Sequence, residues 1–371
     1  MSLSILLVGD YPPDPTLGSS KVFYKLRDEF TALGHRCDIL FADDIGGPRS
    51  RQIRQAVSPW YAGRAIARRQ AAARYDVIDA ASAEGLWVDR SSAAFVCRSN
   101  GLEQLNYRRM IDDARVGLTR KPWTRRIWYP LSRLTQVERA ARKADRLLLL
   151  NAHDYDYAVG ERWKPADRIE IVPHGVSARY LRNRPGDTPS RGRGLLFCGT
   201  WDHMKGIAYF AAAVERLHAS GRRLPLTILG PGVPASTVMA AFGPSVRGDI
   251  SVVPRVAEDE VIDMYRSHDA LLWTSTYEGF GLVLLEAMSQ ELPVVTTPVG
   301  CATALVRDGV NGLVVPPRDP AAIATAVGRL MDDASLRCRL GAAASATVTA
   351  MTWRATAERT IDFYQRAIAS R

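Results

Sequence analysis

The sequence predicts an α/β protein built from two doubly wound domains, and three stretches carry that prediction. The first forty or so residues read strand, loop, helix, strand, with apolar runs at Ser4–Val8 and 37–41 around a helix over 21–33. That order is the opening βαβ unit of a parallel sheet. A second series of the same kind starts at 195–199, after a Pro-, Gly- and Arg-rich linker over 183–194. The third stretch, 273–299, reads as a strand end, a glycine turn, a helix and another strand, and the rest of the chain is organised around it. At 371 residues the chain is long enough for two hydrophobic cores.

In the N-terminal half, the loop over 9–20 (G-D-Y-P-P-D-P-T-L-G-S-S) puts Gly18 just before the first helix. A backbone without a side chain lets a diphosphate approach closely there. Gly34 and His35 stop the helix. No G-x-G-x-x-G is present, which counts against a nicotinamide dinucleotide site. Residues 49–74 form a basic helical stretch, and 75–80 and Ala94–Arg98 are the next strands. Asn100 and Glu103 follow the second of these, at the end of a strand where such sheets place ligands. A helix over 136–144 leads into a buried strand over 146–150. Asp154 and Asp156 form a D-x-D, but Asn151 reads as a helix cap and puts both carboxylates in a first turn, so no metal site is assigned.

In the C-terminal half, Lys205 and Gly206 close the loop before a helix over 207–219. A strand over 225–229, the turn 230–232 and the segment 252–256 with Arg255 come next. The apolar run Ala270–Trp273 is a buried strand, and Gly279 and Gly281 bracket Phe280 where it ends. Residues 282–290 hold good helix formers without Gly or Pro, so the N–H groups around Leu282 and Val283 face a ligand or water. Glu278 lies in the turn and Glu286 just over one helical turn later; 282–286 spans roughly 6 Å. Both carboxylates can border one small-molecule site, and each can accept the two hydroxyls of a vicinal diol. The alternative is an ordinary helix cap and a solvated helical glutamate.

Composition narrows the classes. Apolar residues make up 47% and charged residues 24%, as in globular proteins, and no apolar run approaches the roughly 20 residues of a membrane span. The N-terminus lacks a basic leader and reads straight into a strand, so a cytoplasmic protein is expected. The five cysteines are scattered, without a C-x-x-C pair, and read as buried thiols. Net charge is +10, with twelve Lys/Arg against four Asp/Glu over 108–146. Within that segment Arg120, Lys121, Arg125 and Arg126 alternate with Trp123 and Trp128, a composition suited to an anionic membrane surface. A solvated helical hairpin with inward tryptophans is the alternative, and nucleic acid is not expected.

The run W-T-S-T-Y-E-G-F-G-L-V-L-L-E-A-M over 273–288 resembles the E-x7-E signature of retaining GT-B glycosyltransferases, especially the large family 4 group. The resemblance spans nearly the whole chain and is strongest over 195–317. It implies two Rossmann-like domains facing across a cleft: 1–174 on the acceptor side, 175–352 on the donor side, and a helix over 353–371 crossing back to the first. It also implies a nucleotide-sugar donor, a glycan or lipid-linked acceptor, and no cofactor or metal. By position, Lys205 matches the K-G of the donor-phosphate loop, Thr200 stands where the family has Arg, and Arg255 borders the nucleotide. Glu278, with Gly279, Phe280 and Gly281, falls on the sugar and Glu286 on the ribose. Asn100 replaces a histidine that faces the donor sugar, and Glu103 is a candidate base or acceptor ligand. His174 stands at an Asn position with a structural role. A sugar-nucleotide epimerase or hydrolase of the same fold and a basic nucleic-acid-binding protein are the rival readings.

Overall fold

The computed structural model describes residues 2–119, 122, 124–182 and 192–371. Arg120, Lys121, Trp123 and the 183–191 part of the linker lie outside the described residues. The chain divides into two units, Met1–Gly175 with Trp353–Arg371, and Val176–Thr352.

Among the described residues the N-terminal unit holds six strands: β1 (Ser4–Val8), β2 (Arg36–Leu40), β3 (Val77–Ala81), β4 (Ala94–Arg98), β5 (Arg146–Leu149) and β6 (Ile169–Ile171). They pair in parallel in the order β2-β1-β3-β4-β5-β6. β3 and β4 are buried throughout, the reason their sequences are apolar rather than alternating. The first helix, Gly18–Ala32, starts three residues before the expected position, with extended Leu17 as its cap. Ser20 donates its hydroxyl to the Pro12 carbonyl (2.6 Å), which folds the proline loop back onto that helix.

The last helix, Trp353–Ala369, belongs to this unit and packs on Gly18–Ala32 and on β4. A wholly buried polar cluster fastens it there. Arg98 donates to Asp79 (Nη2 to Oδ2, 2.6 Å), and the Tyr364 hydroxyl donates to the same carboxylate. A charge pair taken out of water needs such additional partners to be tolerated. His174 stacks on Trp353, ring centroids 5.3 Å apart.

The C-terminal unit holds β7 (Leu195–Cys198), β8 (Leu226–Leu229), β9 (Ile250–Val253), β10 (Ala270–Trp273), β11 (Val294–Thr296) and β12 (Leu313–Val314). The order β12-β11-β10-β7-β8-β9 is parallel throughout. Chain order reverses between β7 and β10, which makes that junction the switch point where doubly wound sheets bind ligands. Phe197, Trp201, Phe210 and Phe242 fill the core under β7 and β8 in mutual ring contact.

Candidate functional site

Because all strands of the C-terminal sheet run the same way, the loops after β7, β8, β9 and β10 emerge on one edge. The loops after β7 and β10 are stitched together at the switch point. Thr276 donates its N–H to the Met204 carbonyl (2.8 Å), and the Thr274 hydroxyl donates to the Lys205 carbonyl (3.1 Å). Two glycines permit this closeness. Gly206 has φ +70°, and a Cβ there would stand 2.1 Å from the Thr274 carbonyl oxygen. Gly281 has φ +100°, and its Cβ would meet the Trp273 ring at 2.3 Å. Each caps a helix, Ile207–Ala219 and Leu282–Ser289 respectively, so two helix N-termini open on the same edge. Their first N–H groups have no intrahelical acceptor and carry partial positive charge.

Between these ends the Lys205 ammonium pairs with Glu278 Oε2, and Ser275 donates to the same oxygen (3.3 Å). Both side chains keep some contact with solvent, at 15% and 13% exposure. The arrangement is a cation, a carboxylate and two dipole ends within one turn of backbone, suited to an anion that also carries hydroxyls. Phe280 is buried, Gly279 is buried, and Leu282 and Val283 are half-buried at the helix start. The Phe280 carbonyl is fixed by the Cys301 N–H (2.7 Å).

Glu286 lies on the Leu282–Ser289 helix at 8% exposure. The Tyr265 hydroxyl donates to its Oε2 (3.4 Å) and lies 3.5 Å from Cys198 Sγ. Tyr180 also reaches Glu286, and burial together with this carboxylate raises the phenol pKa of both tyrosines. Neither tyrosine was singled out from sequence, because both are far from Glu286 along the chain. Thr200 and Arg255 are exposed at the ends of β7 and β9, on the same edge as Lys205. The Arg255 Cγ lies against Gly230 at the end of β8.

The N-terminal candidates separate into different settings. Gly18 opens its helix with free space beside it. Asn100 donates to the Tyr11 hydroxyl (3.0 Å), while its buried Oδ1 has no partner among the described residues. The expectation that Glu103 serves as a base is revised by its surroundings. It accepts from Ser82 (2.6 Å), from Tyr129 (2.6 Å) and from Arg133 (3.0 Å). Burial pushes its pKa up, but the Arg133 guanidinium and these hydrogen bonds outweigh burial and hold the carboxyl below its ordinary range. A carboxylate stabilised in that way is a weak proton acceptor. Arg133 also binds Glu84 (3.0 Å), so Glu103 is the half-buried arm of an ionic knot centred on buried Arg133. Asn151 caps the helix Ala152–Gly160 by accepting from the Asp154 N–H (2.8 Å). Among the described residues no group of three His, Cys, Asp or Glu could hold a metal ion.

In the basic aromatic segment, Arg125 donates to Gln55 (2.9 Å) and lies 3.8 Å over the Tyr129 ring. Arg126 and Trp128 are exposed, so Trp128 does not pack inward. No helix among the described residues is long and apolar enough to cross a membrane.

Residues 192–333 match the family model described as glycosyl transferases group 1. The D-inositol 3-phosphate glycosyltransferase of Kineococcus radiotolerans is 30% identical over 268 residues, 65% of this chain and 62% of its own. Over this region the chain is similar to the group 1 glycosyltransferases. It spans less than two thirds of the length of the curated relatives it matches, 62%, 49% and 58% for three of them. The fold is GT-B. Sucrose-phosphate synthase from Thermosynechococcus elongatus superposes with a TM-score of 0.77 at 20% identity, covering 100% of both chains. The Anabaena HepE structure in complex with UDP and glucose gives 0.67 at 15% identity, covering 98% of this chain and 100% of its own.

Proposed function

We propose that this protein is a group 1 glycosyltransferase that transfers a sugar from a nucleotide-sugar donor to an acceptor hydroxyl with retained anomeric configuration. The observation that carries the proposal is the Lys205–Glu278 pair at the switch point, set between two glycine-capped helix N-termini. Departure of a nucleoside diphosphate builds negative charge on the leaving oxygen. Lys205 and the N–H groups over 280–283 are already in place to meet it, so little reorganisation is needed at the moment of reaction. When donor enters, Glu278 gives up the ammonium to the phosphate and accepts hydroxyls of the sugar. Glu286 takes the ribose diol, and Arg255 lies toward the nucleotide. The reaction is read as front-face substitution, in which the leaving phosphate receives the acceptor proton. Charge neutralisation by Lys205 and the helix ends supports a reaction without a resident metal.

The acceptor is read as a lipid-linked or cell-surface glycan. Exposed Ile127, Trp128 and Arg126 support a seat on the cytoplasmic face of an anionic membrane. A small phosphorylated polyol is the second reading, favoured by the Kineococcus relative's name and 30% identity.

A thermal-shift screen against UDP-, GDP- and ADP-sugars tests the donor site. A donor at 100 times its dissociation constant stabilises by about 2.7 kcal/mol. Product analysis with lipid extract or inositol phosphate then identifies the acceptor. Release of free sugar or an epimer without any acceptor would instead indicate a hydrolase or epimerase. Absence of stabilisation by every nucleotide sugar, with a salt-sensitive shift of nucleic acid, would overturn the transferase reading.

A further inference from the structure

We infer that a groove beside the helix Arg51–Ala72 binds an acyl chain of an anionic lipid, which makes this helix the principal membrane contact of the N-terminal unit. The inference rests on the membrane docking proposed above and adds to it a surface outside the basic aromatic segment. The helix has 22 residues with five arginines and no acidic residue. It also contains Pro59 and Gly63, the two residue types that helix interiors tolerate least. Gly63 has a structural reason to be there. A Cβ at this position would stand 2.5 Å from the Trp87 Cβ, so the missing side chain is what lets Trp87 lie against the helix. Trp87, Trp60, Ile53, Val57 and Tyr61 then line a groove of about 460 Å³, within the range of small-ligand sites.

The groove is apolar and open. Trp87 is 61% exposed and Trp60 47%. The Arg125–Gln55 hydrogen bond fastens the segment 124–134 beside the helix, where Ile127, Trp128 and Leu131 are also exposed. Six of the eight exposed large apolar side chains among the described residues therefore belong to this one neighbourhood. Exposed apolar residues scattered singly need no explanation, whereas a cluster marks a contact surface. The charge around it is positive. Arg64 lies 4.8 Å over the Trp60 ring, and Arg64, Arg68 and Arg126 are exposed without an ion pair among the described residues. The nearby carboxylates of Asp10 and Asp44 are already paired, with Arg54 and Arg69. Tryptophan bodies with cations beside them match the boundary between acyl chains and anionic headgroups. A purely apolar protein partner would leave those arginines unanswered.

The full chain is to be sedimented with phosphatidylglycerol–phosphatidylcholine vesicles, and its tryptophan emission followed with acyl-brominated lipid. Wild-type protein is expected to bind anionic vesicles and to be quenched by the brominated chains. The triple variant Ile53→Ser, Trp60→Ser, Trp87→Ser is expected to bind roughly tenfold or more weakly. Trp60→Phe with Trp87→Phe keeps the apolar lining and is expected to bind well with reduced quenching, which separates loss of contact from misfolding. Unchanged binding of the triple variant would overturn the groove and leave docking through Arg126 and Trp128 standing. Equal binding to neutral vesicles would overturn the anionic headgroup. Failure of wild-type protein to bind any vesicle would overturn the docking reading and the groove with it. A dimer in analytical ultracentrifugation that the triple variant abolishes would assign the face to a second copy instead.

Discussion

In the N-terminal unit Arg133 bridges Glu84 and Glu103 at 3.0 and 2.9 Å, and Ser58, Ser82 and Tyr129 complete the set. In the C-terminal unit Lys205 meets Glu278, which also takes a hydrogen bond from Ser275. Both clusters stand near the carboxyl ends of parallel strands, yet they are built for different ends. A guanidinium presents five donors in a rigid plane and satisfies several acceptors at once, whereas an ammonium is one point charge on a flexible stem. Arg133 is buried, so separating its partners would strand charges away from water. Lys205 and Glu278 lie at a similar depth, but their pair joins one ammonium to one carboxylate, with Ser275 as a further donor. Fewer contacts therefore have to be broken to part Lys205 from its carboxylate than to part Arg133 from its two. Rigidity and exchangeability follow from the choice of cation and the number of its partners.

Breaking each cluster should give unlike results. Arg133→Met is expected to cost about 3–5 kcal/mol, because Glu84 stays buried and Glu103 half-buried without their cation. Urea unfolding measures this loss, and adding Glu84→Gln with Glu103→Gln should recover part of it. An unchanged midpoint would show that the knot is not structural. Lys205→Ala should leave the unfolding midpoint nearly unchanged and lower kcat about 10²–10³-fold, with a smaller rise in donor KM. A raised KM at normal kcat would mean that Lys205 binds donor without answering the leaving charge.

Two smaller effects sharpen the contrast. Burial, with the Arg98 guanidinium adding to it, pushes the His174 imidazole from its ordinary 6.5 down to about 3. The folded chain keeps this ring neutral while the unfolded chain protonates it near pH 6.5. The contribution to stability is therefore full above about pH 6.5 and is lost as pH falls toward 3, by up to about 1.4 kcal/mol per pH unit. Denaturant midpoints between about pH 7 and pH 5 should fall in the parent and fall less in His174→Asn. Parallel curves for the two proteins would contradict the buried neutral ring. In the other unit, Tyr265→Phe should weaken nucleoside diphosphate binding by about 0.5–1.5 kcal/mol, the worth of one hydrogen bond that holds Glu286 in place. Calorimetry with UDP and 2′-deoxy-UDP separates the causes. If Tyr265 acts through Glu286, the variant should distinguish the two nucleotides less well than the parent does.

The sequence made the parts of the C-terminal candidate site legible because they are local. Lys205 with Gly206, and Glu278 with the glycines around Phe280, each lie within a few residues of a helix start. The setting of Glu103 was not legible, since Arg133 is thirty residues away in sequence and nothing in its own segment announces the partner. Trp60 and Trp87 escaped notice for the same reason. Each is unremarkable alone, and only Gly63 brings them to one groove.

By itself the sequence determined the parallel strands, through continuous apolar runs, and the two glycine-capped helix starts, through residues that must adopt positive φ. Those are properties of a short window of chain. Tertiary structure decided which carboxylate each cation answers. β7 and β10 are neighbours in the sheet although more than seventy residues separate them, and that adjacency alone sets Lys205 against Glu278. Strand order is a choice among packings with nearly the same local propensities, so the ion pair, the ionic knot and the tryptophan groove exist only once the whole sheet is assembled.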